Sequence, residues 1–488
     1  MKPREVLYRG LSWFATELEK RKIEGGWMPQ PSTAIGCGFP LFSSAGNDWL
    51  SRWQANYGLE TEKLEGILQG KFRFFGYSEI SVGTPIAWHV DPVSHARAPM
   101  GYGKRIDLRD TAQGLNVKML WELGRHQHLI PLTVAYAVTK KLRYKQAVVR
   151  DIEGWITENP YGMGIHWASA LEVSLRIISW SIIQSLLQLS DGGEGLFSEI
   201  RDRKKFGNAV YQHVLFIRSS LSRFSSANNH LIGELTGLWI AGHVFDLDAY
   251  GLEQIEFAQK YLERETQNQV FDDGVSKEQS LYYHLWVLEY LLFARLVGSA
   301  NGRQFSMEFD ERIVRMAGFI RDVSPLGTTP PQIGDADDGM VIRFELSPRD
   351  PYYDVISAVG RIFSEPSLCY ADRALPQKAF WYELINRQAA PKPNYRVLNS
   401  QQDKSLIVYP CGGYAIWRAN PFHVVFDVGP LGYLSIAAHA HADALNICVA
   451  VDGDWFLVDP GTYAYGEDSQ WREYFRSTYA HNSIVVDN

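Results

Sequence analysis

The chain has 488 residues, of which 46% are hydrophobic, 13% aromatic and 21% charged, a composition that excludes collagen-like, disordered and small disulfide-stapled classes. At about 150 residues per domain, this length accommodates two or three domains, each with its own core. Lys+Arg 48 against Asp+Glu 55 gives a formal net charge of −7. That balance argues against nucleic acid as a partner, and any polyanion would have to be met by a local basic cleft.

The N-terminal stretch MKPREVLYRGLSWFATELEKRKI is charged throughout. It lacks the apolar centre of a signal peptide and reads as an amphipathic helix. Residues 1–115 form a mixed segment rich in Gly, Pro and aromatics. Residues 116–400 are expected to be helical as far as about 325 and to end in a connector. Apolar residues recur at helical spacing over 130–147, 168–190, 205–221, 230–246, 252–268, 276–298 and 309–322, with short polar breaks that imply antiparallel helix pairs. VSLRIISWSIIQSLLQL is the most apolar stretch, but it contains Arg176 and reads as a buried helix, so no transmembrane segment is expected. The connector, 325–400, holds Pro325, Pro330, Pro331 and Pro351, the acidic loop GDADDG (334–339) and a helix near 352–363.

From 401 the pattern changes to short β-branched and aromatic strands: LIVYP, GYAIWRA, HVVFDVG, ALNICVAV, WFLVD and SIVVD. Asp452-Gly453 suits a type I′ turn between two of them. The last strand runs into residue 488, which leads to the expectation of a fragment with an incomplete β domain. The four cysteines, Cys37, Cys369, Cys411 and Cys448, show no CxxC spacing. A cysteine zinc or redox motif is therefore not expected.

The densest polar cluster is AAHAHADALNICV. His439, His441 and Asp443 alternate, so on a strand they share one face. The plain reading is a solvated strand edge. The chemical reading adds Asp459 and His481, because two histidines and a carboxylate suit zinc with one open position. A flat hairpin turning at Asp452-Gly453 sets Asp459 opposite Asn446, about 16 Å along the strand from His441. A shared metal then needs a bulge, strong coiling or another register.

Other clusters follow. In SSANNHLIGELTGLWIAG, one of Asn228 and Asn229 serves as a helix N-cap, and with His230 the helix start would also favour an anion. In DDGVSKEQSLYYHLWVLEYL, Tyr282, Tyr283 and His284 lie on a helix, where at least one tyrosine is core packing. WELGRHQHL carries Arg125, His126 and Gln127. GIHWASALEVSLRIISW carries His166 and Trp167, with Glu172 and Arg176 spaced as an ordinary i,i+4 ion pair. No G-x-S-x-G elbow, P-loop or dinucleotide-binding glycine fingerprint occurs.

Taken in order, WELGRHQ, GIHWASALEVSLRIISW, SSANNHLIGE, DDGVSKEQSLYYH, IGDADDG, HAHADALNICVAVDGDWFLVDPGTYAY and AHNSIVVD resemble the heparinase II/III-like polysaccharide lyases, which include heparinase III and related alginate lyases. The resemblance covers about 115 to 488. It implies an incomplete (α/α) toroid followed by an antiparallel β-sandwich domain beginning near 401. It also implies cleavage of a uronate-containing acidic polysaccharide by β-elimination. Asn229 and His230 resemble the pair facing the uronate carboxylate. Tyr283 and His439 resemble the acid–base groups. His441, Asp459 and His481 match the zinc ligands of some members, where zinc braces the site. Arg125, His126, Gln127, His166, Trp167, Tyr282 and Tyr465 are then expected near the sugar, with Tyr463 and Tyr474 as further tyrosine candidates. His166 departs from the family, where Asn is common. The family implies a periplasmic or envelope location, whereas the N-terminus shows no export signal.

Three other readings fit parts of this pattern. A uronate C5-epimerase shares the proton abstraction without expelling O4. A glycoside hydrolase needs two carboxylates, from among Glu172, Asp272, Asp273 and Glu278. A non-catalytic glycan-binding protein would use the aromatic residues for stacking.

Overall fold

The computed structural model describes residues 3–42, 46, 48–73, 75–77, 79–108, 114–325, 328–347, 350–370, 373–385, 405–463 and 469–486. The helices are α1 (Pro3–Glu24), α2 (Trp49–Asn56), α3 (Thr61–Leu68), α4 (Val117–Gly124), α5 (Leu129–Thr139), α6 (Leu142–Glu158), α7 (Ala170–Asp191) and α8 (Leu196–Glu199). They continue with α9 (Arg203–Ser219), α10 (Asn229–Val244), α11 (Asp248–Gln269), α12 (Leu281–Ala300), α13 (Met307–Val323), α14 (Pro351–Ile362), α15 (Gln377–Ile385) and α16 (Ser469–Arg476). The strands are the short β1 (Gly36–Cys37), β2 (Lys71–Phe72), β3 (Ile80–Ser81) and β4 (Phe245–Asp246), then β5 (Leu406–Tyr409), β6 (Tyr414–Ala419), β7 (Phe422–Asp427), β8 (Ile447–Val451) and β9 (Asp454–Leu457). The chain forms two compact units, 1–43 with 58–258 and 342–346, and 44–57 with 259–341 and 347–488.

In the first unit α7 packs against α5, α9 and α10. It is the one described helix long and apolar enough to cross a membrane, and that window is wholly buried within the protein. The apolar run 130–147 forms two helices, not one, because Lys140 adopts a left-handed conformation that stops α5. Helices α7 and α10 touch closely at Gly237, where a Cβ would collide with Ser174, whose hydroxyl donates to the Gly233 carbonyl at 2.6 Å. This contact seats α10, and with it the Asn229–His230 turn.

The centre of this unit is aromatic and basic. Arg176 is fully buried, with its guanidinium 4.0 Å from the centre of the Trp155 ring. It donates to the carbonyls of Gly124 (2.9 Å) and His166 (3.0 Å) and to His213 Nε2 (2.9 Å). Burial pulls its pKa down to about 9, with Glu172 opposing, so it stays charged at neutral pH. The expected Arg176–Glu172 helix pair is therefore replaced. Glu172 instead takes a two-pronged bond from Arg125, at 2.7 and 2.8 Å. The reason is burial: both side chains point into the interior, where Arg125 arrives from the end of α4 and Arg176 finds carbonyls.

The second unit joins α12–α15 to a five-stranded sheet of order β5-β6-β7-β8-β9, each neighbour antiparallel. Alternate residues Ile407, Tyr409, Tyr414, Ile416, Val425 and Cys448 pack with Leu281, Phe319, Val323 and Ile333 in one core. The hairpin turn falls on Asp452-Gly453, and both residues have positive φ, as its sequence predicts. Two strand expectations are corrected. Residues 483–486 form no strand, because the chain there bonds back as a loop, with Ser483 Oγ donating to the Ala444 carbonyl. His439–Asp443 also lie in a loop, bounded by left-handed Ala437 and Leu445 and held by the Ala442 N–H bond to the Arg476 carbonyl at 2.9 Å. The β region is thus a single sheet among the described residues, with Leu406, Val408, Trp417 and Phe422 exposed.

Arg176→Leu removes a buried cation and strands two buried carbonyls. A loss of about 3 kcal/mol or more is expected, read as a lower urea midpoint with an unchanged slope.

Candidate active site

In the second unit, Ser280 is the N-cap of α12 and its hydroxyl accepts from the Tyr283 N–H at 3.3 Å. The same hydroxyl donates to the Asp335 carbonyl at 2.6 Å. Gly334 makes this possible. It has φ +72°, and a Cβ there would strike Gln279 and Ser280. The acidic loop thus crosses the start of the helix that carries Tyr283.

Tyr283 stacks on His439, with ring centroids 3.7 Å apart and planes 22° apart. His439 Nδ1 lies 3.3 Å from Asp335 Oδ2, and His441 Nε2 lies 2.9 Å from Asp335 Oδ1. Arg472 on α16 donates to Asp335 Oδ2 at 2.7 Å. Glu278 Oε2 stands 3.7 Å from His439 Nε2. Asp335 is wholly buried. Burial raises its pKa, but the bonds from His439, His441 and Arg472 outweigh this and hold it far below the ordinary carboxylate range.

Beside this group, ligand atoms of His441, Asp459 and His481 lie within 4.8 Å of one another, and all three residues are buried. His441 Nδ1 and His481 Nε2 are buried with no hydrogen-bond partner. Asp459 Oδ2 accepts from Asn446 at 2.6 Å and lies 3.0 Å from His481 Nδ1. Asp459 therefore does face Asn446, as the hairpin estimate has it. His441 still reaches it because residues 439–443 leave the strand path and the β8–β9 ladder is bulged at Val449/Ala450. Burial raises Asp443 to about 7 and Asp427 to about 6, and Asp459 adds repulsion to both. Burial opposes protonation of His481, but its bond to Asp459 and the charges of all three carboxylates raise its pKa. Two unpartnered imidazole nitrogens beside surplus buried negative charge are a donor set that fits a divalent cation.

In the first unit, Asn228 caps α10 and its side chain accepts from the His230 N–H at 3.1 Å. Asn229 is buried and His230 half-buried on the first turn, where helix N–H groups favour an anion. Glu234, one turn on, accepts from Ser222 N and Ser222 Oγ, both at 2.7 Å, and ties the preceding loop to the helix.

Several expected sugar contacts lie elsewhere. His126, His166 and Trp167 are interior residues at 0–1% exposure. His126 Nδ1 accepts from Trp180 at 2.8 Å, and His166 Nε2 bonds the Trp88 carbonyl at 2.8 Å. Such rings pack with Trp155 and His213 because an all-round apolar helix, α7, faces them. The Arg125 guanidinium is occupied by Glu122 and Glu172, and Gln127 is buried beside it. Tyr282 donates its hydroxyl to the Gly339 carbonyl. Tyr463 and Tyr474 are exposed, and Tyr465 lies outside the described residues. Of the hydrolase carboxylates, Asp273 accepts from the N–H groups of Cys411 and Gly412 at 2.7 and 2.8 Å, and so holds a turn. Asp335 and Arg472 were not singled out as site residues from sequence, and Glu278 only as one of the possible hydrolase carboxylates. The only signal for Asp335 was the acidic GDADDG loop.

Residues 54–344 match the family model "Heparinase II/III N-terminus", and residues 401–488 match "Heparinase II/III-like, C-terminal". The chain belongs to the heparinase II/III family. It is 21% identical over 416 residues to a heparin-sulfate lyase of Bacteroides stercoris, covering 79% of this chain and 56% of that protein. It is 20% identical over 425 residues to the heparin-sulfate lyase of Pedobacter heparinus, covering 85% and 55%. The chain thus spans about half the length of these curated relatives. Among solved structures it resembles heparinase III (TM-score 0.56, 17% identity, 98% of this chain, 68% of that one). It also resembles the heparan sulfate lyase HepC of Pedobacter heparinus (TM-score 0.53, 17% identity, 96% and 64%). These likenesses establish the fold class, a helical toroid followed by an antiparallel β domain.

Burial raises the Glu234 pKa to about 8, against the opposing bonds from Ser222. The folded protein keeps a proton that the unfolded chain releases above 4.5. This contribution to stability is complete below 4.5 and is lost as pH rises towards 8, by at most about 1.4 kcal/mol per pH unit. Glu234→Gln should flatten that slope in denaturant melts at pH 5, 6.5 and 8.

Proposed function

We propose that this protein is a polysaccharide lyase that cleaves a uronate-containing acidic polysaccharide by β-elimination. The observation that carries the reading is Tyr283 stacked at 3.7 Å on His439, itself held by Asp335, in a chain of the heparinase II/III family. The similar proteins named as heparin-sulfate lyases support a sulfated or unsulfated glycosaminoglycan as the first substrate to try.

The reaction takes the proton from C5, breaks the C4–O4 bond, forms a C4=C5 double bond and protonates the departing O4. The C5 proton is acidified when the neighbouring carboxylate is neutralised. By their resemblance to the family's carboxylate-facing pair, Asn229 and His230 on the N-terminal turn of α10 are the candidates for neutralising that carboxylate. Tyr283 and His439 are the acid–base pair, one removing the C5 proton and the other returning a proton to O4. Buried rings in van der Waals contact limit each other's rotation, which keeps the transferring atoms aligned. His441, Asp459 and His481 would hold zinc. Zinc bound there would supply positive charge beside the 439–443 loop and so brace it.

The test is ultraviolet absorbance of the conjugated unsaturated uronate, with heparan sulfate, heparin, hyaluronan, chondroitin, alginate and polyglucuronate as substrates. Absorbance should rise with at least one polymer and fall at least 100-fold in rate in Tyr283→Phe. Exchange of the C5 proton with solvent and no absorbance would replace elimination with epimerisation. Binding with neither signal would leave a glycan-binding protein.

Zinc binding is tested separately. About one zinc per chain should remain after dialysis. Asp459→Ala and His481→Ala should each lose most of it in elemental analysis.

A further inference from the structure

Asp335 meets two histidines through opposite ring nitrogens. It faces Nδ1 of His439 and Nε2 of His441, at 3.3 and 2.9 Å. The nitrogens left over are His439 Nε2 and His441 Nδ1, and both are buried without a hydrogen-bond partner. An ionised carboxylate only accepts, so each facing nitrogen must carry the proton. Each remaining nitrogen of a neutral ring then keeps its lone pair. His439 Nε2 is the atom an acid–base group needs, and His441 Nδ1 is the atom free to act as a ligand beside Asp459 and His481.

We propose that Asp335 is a positioning residue that sets the tautomers of His439 and His441 in opposite senses, so that one carboxylate prepares both the proton-transfer nitrogen and the metal-binding nitrogen. The activity half of this inference rests on the lyase reading above, whereas the tautomer half does not. Three further contacts fit the role. Arg472 donates to Oδ2 at 2.7 Å, which keeps the buried carboxylate ionised. The Asp335 N–H donates to the His439 carbonyl at 2.9 Å, which fixes the loop against the loop it orients. Ser280 bonds the Asp335 carbonyl while capping the helix of Tyr283, so the acid–base partner is registered to the same residue. A carboxamide could not serve both rings. Asn has one acceptor oxygen and one donor nitrogen, and its NH2 would force the ring it faces into the opposite tautomer.

The first test uses the unmodified chain. Long-range proton–nitrogen correlation of histidine-labelled protein at pH 8, after chelation of metals, should show His439 protonated on Nδ1 and His441 on Nε2. Adding one equivalent of zinc should shift Nδ1 of His441 and leave both nitrogens of His439 bare or protonated as before. The same tautomer on both rings, or zinc arriving at Nε2 of His441, overturns the proposal whatever the enzyme's activity. The second test is Asp335→Asn. Zinc affinity in a competitive chelator titration should weaken at least 10-fold, and kcat should fall at least 10-fold with KM changed less than about threefold. Asp335→Glu, which retains two acceptor oxygens, should recover part of both. An Asn variant that matches wild type in zinc affinity and kcat overturns the proposal. If that variant does not fold, the spectrum of the unmodified chain decides the matter. If the unmodified chain shows no elimination, the lyase reading fails while the tautomer and zinc outcomes still decide this one.

Discussion

The arrangement in the second unit depends on one buried negative charge. The Asp335 carboxylate receives bonds from two imidazoles and a guanidinium. A charge in such a place is tolerable only because every oxygen is occupied. Its position follows from backbone geometry. A left-handed glycine lets the acidic loop cross the first turn of α12, and the helix cap is shared with that loop. Tyr283, on that first turn, is stacked on His439.

The first unit solves a similar problem with opposite sign. Arg176 is enclosed by tryptophan and histidine rings and satisfied by carbonyl oxygens. Its neighbour Arg125 is neutralised by carboxylates. These two cations bind α4, α7 and the 165–167 turn into one piece. The start of α10 is fixed from the same helix, through the Gly237–Ser174 approach.

Much of this architecture was legible in the sequence, because the signals are periodic. Helices α1, α5, α7 and α9–α13, the connector helix α14, the strands β5–β9 and the Asp452-Gly453 turn follow from apolar spacing and turn chemistry, whereas the short α2, α3, α8, α15 and α16 carry too few apolar repeats to stand out. The Asn228 cap follows from the residue type before an apolar run. What was not legible depends on side-chain direction in loops. Alternation of His439 and His441 suggested a strand face, yet left-handed Ala437 and Leu445 make a loop there. The loop brings His441 towards Asp459 where a flat strand would not. The resemblance placed His126, His166 and Trp167 near the sugar, whereas the structure buries all three, and a histidine with one good acceptor or donor is content inside an aromatic core. Asp335 could not be chosen among the acids of its loop, because only the glycine before it sets which carboxylate turns inward.

The buried histidines of the helical unit carry a further consequence, for the acidity in which the protein can persist. Burial lowers the pKa of His128 and of His166 to about 3, pushes His126 and His213 well below the ordinary value and lowers His89. Arg176 adds repulsion at His126, His166 and His213. These rings stay neutral when folded, whereas in an unfolded chain each takes up a proton below about pH 6.5. Their stabilising effect is therefore complete above that pH and is lost as pH falls through it, by up to about 1.4 kcal/mol per ring per pH unit. With several such rings around one cation, the losses add up from about pH 6.5 down to about 3. The interior that holds the helices in register also sets a lower pH limit, below which acid acts on this unit as a denaturant.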